Sequence, residues 1–113
     1  MNTQLLERAR AECPFSLGAG RLLDENGLYC AVGYLLHMAG LPDNEIHELD
    51  LRDSTCHDLA VGFPSVEVVA GLYGLNCEDV DDLLFSSDGA SDEGRRGVFT
   101  GWVDHLLSFQ ETQ

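Results

Sequence analysis

The segment that most restricts how this chain can fold runs from Leu28 to Ala39 and reads Leu-Tyr-Cys-Ala-Val-Gly-Tyr-Leu-Leu-His-Met-Ala, apolar on nearly every face. A helix that is hydrophobic all round has no side to give to solvent, so it must lie at the centre with other elements packed around it. Gly40 follows as a C-terminal cap and Pro42 stands shortly after, which ends the segment sharply. A buried strand would suit the first half alone. Leu, Ala and Met in the second half predict a helix over 28–39.

The flanking sequence supplies the elements that would cover such a helix. Thr3 is placed to cap a first helix in which Leu5, Leu6, Ala9 and Cys13 recur near helical spacing until Pro14 stops it. Phe15 to Gly27 reads as a loop with one turn of helix around Arg21-Leu22-Leu23. Its Gly18-x-Gly20 is no phosphate loop, because Leu23 stands where the dinucleotide fingerprint needs a third glycine. A short acidic segment starts at Asp43 and runs through Leu49, and Ser54 is expected to cap another short helix ending near Gly62. Val66, Val69, Ala70 and Tyr73 fall at i, i+3, i+4 and i+7 and predict a helix from Pro64 to Gly74, although Val66-Glu67-Val68 also alternates as a strand would. Asn76 can cap the next helix, with Val80, Leu83 and Leu84 facing inward, and Ser86 to Gly94 is a polar turn. A last helix carries Val98, Trp102, His105, Leu106 and Phe109 on one stripe, with Phe99, Val103 and Leu107 beside them. The expected fold is therefore mainly α: a single acidic domain over residues 1–113, a compact bundle of five to six short helices around the apolar helix 28–39.

Charge narrows the function classes. The chain has a formal net charge of −14, yet 44% of its residues are hydrophobic, a globular balance that opposes disorder. All six basic residues are Arg, and the acids are uneven: from Leu22 to Gly94 sixteen Asp and Glu face the single Arg52, a net of −15, whereas both flanks are nearly neutral. A B-form duplex carries one charge per ~1.7 Å, so a globule spanning roughly 35 Å has a charge density comparable to that of nucleic acid. Such a field repels nucleic acid and anionic membrane and attracts basic protein surfaces. Solubility alone, or a high-salt habitat, would also account for a high net charge.

Candidate chemical sites are weak by spacing. Cys13, Cys30, Cys56 and Cys77 include no Cys-x-x-Cys pair, and with no apolar run of membrane-spanning length a reducing cytoplasm with free thiols is expected. Cys30, Tyr34 and His37 recur at i, i+4 and i+7, but two helical turns between Cys30 and His37 oppose a thiol–imidazole pair. Cys56-His57 would need His37, His47 or Cys77 from distant segments to make a zinc site, and adjacent helical residues point apart. Asp88, Asp92 and Glu93 around Gly89 lack the alternating carboxylates of a calcium loop. No cofactor or metal is expected.

One signal stands out. Glu78, Asp79, Asp81, Asp82, Asp88, Asp92 and Glu93 lie within sixteen residues that contain no basic residue. Ordinary surfaces interleave both signs, so this cluster marks a surface expected to meet a basic partner, with Tyr73 and Phe85 as apolar anchors at its rim.

Tyr29-Cys30-Ala31-Val32-Gly33-Tyr34-Leu35-Leu36, Gly71-Leu72-Tyr73-Gly74-Leu75, Asp79-Val80-Asp81-Asp82-Leu83-Leu84 and Phe99-x-x-Trp102-Val103 resemble a group of small bacterial and phage proteins that share a Cys-Ala-x-Gly-x-Leu helix and a closing aromatic helix. In size, acidity and lack of a catalytic motif the chain is also similar to phage-encoded inhibitors of the anti-CRISPR and DNA-mimic type. The expected function is a non-enzymatic inhibitor or adaptor that occupies the basic, nucleic-acid-binding surface of a partner protein and does not itself bind nucleic acid or membrane. A small Cys/His metal protein or enzyme, and a homo-oligomeric structural protein or homodimer, are the alternatives.

Overall fold

Ala31, not Leu28, begins the central helix. The computed structural model describes residues 2–14, 16–18, 21–55, 63–91 and 93–111, the last three by backbone alone. Among these residues it shows six helices and no strand longer than an isolated bridge: α1 (Thr3–Ala11), α2 (Ala31–Met38), α3 (Asp43–Ser54), α4 (Pro64–Tyr73), α5 (Cys77–Gly89) and α6 (Arg95–Glu111). The mainly helical architecture is the one the apolar periodicity implies.

The expected helix 28–39 loses its first three residues to a chain reversal. Leu23 and Tyr29 form an antiparallel bridge, and the expected helical turn around Arg21-Leu22-Leu23 is instead one arm of it. The Asp24 carboxylate closes the turn, accepting from the amides of Asn26 at 2.8 Å and Leu28 at 2.9 Å, while Gly27 takes a positive φ of 81° that suits glycine. The Cys30 Sγ then caps α2, accepting from the Gly33 amide at 3.4 Å. From Ala31 to Leu36 every residue of α2 is buried, which is what a helix apolar on all faces requires.

Helix α2 packs on α1, α3, α4 and α5, and α4 likewise touches α1, α2, α3 and α5, so two helices share the centre. Three aromatic side chains that carry a polar atom fasten helix to helix. The Tyr34 hydroxyl donates to the Ala9 carbonyl at 2.7 Å, the Tyr73 hydroxyl donates to the Leu35 carbonyl, and the Trp102 indole donates to the Asp79 carbonyl at 2.8 Å. Buried aromatic groups of this kind need such partners, because an unpaired hydroxyl or indole N–H in the core is costly.

Several boundaries differ from expectation for local reasons. Asn2 rather than Thr3 caps α1, its side chain accepting from the Leu5 amide at 3.1 Å. The acidic segment at Asp43 is one full helix, α3, that runs on through Ser54. Ser54 is its last residue and donates back to the Leu51 carbonyl at 2.8 Å, and the helix expected from there to Gly62 falls on residues 56–62, outside the described residues. Helix α5 runs to Gly89, four residues into the expected polar turn, because Ser87 packs inside. On α6 the buried stripe is Phe99, Val103 and Leu106; Trp102 is half-buried and His105 is exposed.

Candidate functional site

Helix α5 carries most of the acidic cluster, and its sequence explains both its formation and its orientation. Glu78 and Asp79 sit in its first turn, where the exposed amides and helix dipole favour anions. Asn76 stands at the cap position without a side-chain cap hydrogen bond. Val80, Leu83 and Ser87, at i, i+3 and i+7, face the core. That leaves Glu78, Asp82 and Phe85, at i, i+4 and i+7, in one exposed line, with Phe85 65% exposed.

The sequence cluster does not form one patch. Glu78, Asp81 and Asp82 lie within one another's fields: the Asp81 carboxyl is raised above the ordinary carboxylate range by partial burial first and then by Asp82 and Glu78. Asp79 is half-buried, and its backbone carbonyl is the acceptor for Trp102. Asp88, two turns beyond Asp81, lines a cavity of about 190 Å³ with Cys30, Leu84, Asp50 and Asp53. Glu93 is exposed in the connection to α6, and Asp92 lies outside the described residues.

Tyr73 cannot be a rim anchor. It is 0% exposed, and its hydroxyl is spent inside on Leu35; the i+7 spacing from Val66 that predicted α4 also places Tyr73 on its buried face. Phe85 keeps the position expected of it. The residues missed by sequence reasoning are Asp50 and Asp53, which α3 brings beside Asp88. Asp50 accepts from the Leu22 amide at 3.0 Å, and Asp53 accepts from the amide and the hydroxyl of Ser65. Only their i, i+3 spacing hinted that they share a face.

Cys30 and His37 have separate surroundings. Burial, with smaller contributions from Asp88 and Asp50 and opposed by the Gly33 and Val32 amides, pushes the Cys30 thiol up to about 11, so it stays protonated at neutral pH. His37 is engaged elsewhere, stacked on Tyr29 with ring centroids 4.8 Å apart. The Tyr29 hydroxyl donates its proton to Asp43 at 2.6 Å, so in its 3.2 Å contact with His37 the imidazole Nδ1 must be the donor. Among the described residues no group of three His, Cys, Asp or Glu is placed to hold a metal ion, and no helix is long and apolar enough to cross a membrane. Cys56 and His57 lie outside the described residues.

Three arginines of the two flanks are held by other groups. Arg8 pairs with Glu12 at 2.8 Å and Arg10 with Asp104 at 2.7 Å, which joins α1 to α6. The Arg95 guanidinium donates to the Ser87 and Leu17 carbonyls.

No protein-family model, curated protein or solved structure matches this chain.

Proposed function

We propose that the chain is a non-enzymatic binding protein whose α5 face occupies a basic, nucleic-acid-binding surface of a partner, in the manner of the acidic inhibitors it is similar to in character. The observation that carries the reading is the exposed line Glu78, Asp82 and Phe85 on a helix that contains no basic residue. Carboxylates at that density attract an Arg- or Lys-rich surface, and an aromatic ring held in water beside them supplies contact energy that salt does not screen. On this reading the protein is cytoplasmic and meets its partner where nucleic acid would bind.

The test is capture from a lysate of the source cells with the wild-type chain, with Glu78→Arg/Asp82→Arg and with Phe85→Ala, each with and without competing duplex DNA. A protein held by the wild type, lost with the charge-reversed variant, weakened with Phe85→Ala and displaced by DNA is the expected result. Capture that ignores both the charge reversal and the DNA would overturn the reading. All three substituted residues are exposed, so the fold should survive each change, which circular dichroism checks.

A further inference from the structure

A second surface, on the α3 and α4 side of the molecule, has the form of a helix-binding groove. Leu41, Leu49, Val68 and Leu72 form its apolar floor, and it encloses about 340 Å³. Val68 and Leu72 stand at i and i+4 on α4, with Leu72 41% exposed although its neighbours Tyr73 and Val69 are fully buried. The α3 wall is built from Glu45, Glu48, Leu49 and Arg52. These positions span i to i+7, about 10 Å at 1.5 Å per residue, the length of two helical turns.

We infer that this groove receives a short amphipathic helix of a partner protein, whose apolar stripe covers Val68 and Leu72 and whose flanking basic residues meet Glu45 and Glu48. Two observations select that occupant. The charge on the rim is unbalanced: Glu45 and Glu48 face a single Arg52, all three side chains are exposed, and no ion pair joins them, so a cationic flank finds carboxylates ready to accept it. A second copy of this chain is disfavoured by the same charge, since each copy carries a net −14 and would bring like charges together. A groove between two neighbouring helices is also where the ridge of a third helix packs. The inference does not depend on the reading of α5, and substitutions on α3 and α4 leave that helix unchanged.

The test uses two synthetic helical peptides of about 15 residues, long enough for helicity in water, with the same leucine stripe but flanked by Lys in one and by Glu in the other. The Lys-flanked peptide should bind at least about tenfold more tightly, and Leu72→Asp should weaken it by a similar factor. That second outcome is decisive, because an added carboxylate would strengthen any merely electrostatic attraction for lysine. Leu51→Asp, at an exposed leucine outside the groove, should leave binding unchanged. Failure of the Lys-flanked peptide to bind, equal binding of the two peptides, or indifference to Leu72→Asp would overturn the inference. So would a dimer of the chain alone, seen by sedimentation, that Leu72→Asp dissociates, since a second copy would then fill the groove.

Discussion

The carboxylate of Asp53, in the last turn of α3, accepts hydrogen bonds from both the backbone amide and the hydroxyl of Ser65, in the first turn of α4. Helix α4 starts at Phe63 and Pro64 without a side-chain cap of its own, and Asp53 supplies from a neighbouring helix the acceptor that a local cap would have offered. Asp53→Ala should therefore destabilise the fold by about 1–2 kcal/mol, the usual cost of a lost cap. Ser65→Ala should cost less, because the amide bond remains. A double-mutant cycle by urea unfolding checks the coupling, and strictly additive losses would show that the two residues act separately.

Gly33 has a steric role. A Cβ built at this position would stand 1.9 Å from the Leu22 carbonyl oxygen and 2.7 Å from its carbon, and both are backbone atoms held by the bridge beside them. Gly33→Ala must push α2 away from the 22–29 turn. A loss of about 1–3 kcal/mol or more is expected, as for other overpacked sites, against the slight gain that alanine gives in an open helix. Gly71→Ala, on a helix position with nothing within 4 Å, is the control and should be neutral or stabilising by thermal melting.

Acidification into the carboxylate range should stabilise this protein. The Asp81 carboxyl lies above its ordinary value of 3.8 through burial and the charges of Asp82 and Glu78. Asp53 is raised as well, through burial opposed by its Ser65 hydrogen bonds. A carboxyl raised in the native state binds its proton more tightly folded than unfolded. Between the ordinary and the raised value the folded state thus holds more protons, and stability grows as pH falls. Melting temperature should rise as pH falls through these raised values toward 3.8, and the gain should stop below it. Asp81→Asn should melt higher than the wild type at neutral pH, with the difference shrinking on acidification. A wild-type melting temperature that falls over that range would contradict the assignment.

Thiol reactivity should separate the described cysteines. Cys77 is exposed while Cys13 and Cys30 are buried, and burial raises both buried thiols, leaving little thiolate to react. Iodoacetamide at neutral pH should alkylate Cys77 rapidly and Cys30 only after unfolding, as read by peptide mass mapping. Rapid alkylation of Cys30 in the folded protein would mean that its cap position opens to solvent.

Where one face of a helix carries the whole apolar signal, the fold was legible. Val66, Val69, Ala70 and Tyr73 announced α4, and all four are buried. Leu28 and Tyr29 misled because a bridge strand and a core helix ask for the same kind of side chain, and only the local turn that Asp24 closes on the amides of Asn26 and Leu28 decides between them. The site was legible in part for a related reason. Glu78 and Asp82 repeat at helical spacing and do share a face, whereas Asp88, two turns beyond Asp81, lines a cavity with Asp50 and Asp53 from α3. Linear density records how many carboxylates there are and says nothing of which way each one points.

The hydrogen bond from Trp102 to the Asp79 carbonyl has a practical consequence. Trp102 is the sole tryptophan of the chain, half-buried on α6, and its indole is fastened to the backbone of the helix that bears Glu78, Asp82 and Phe85. Its fluorescence thus reports from the underside of that helix, and a protein or peptide pressing on α5 can be followed by the emission of the unlabelled chain.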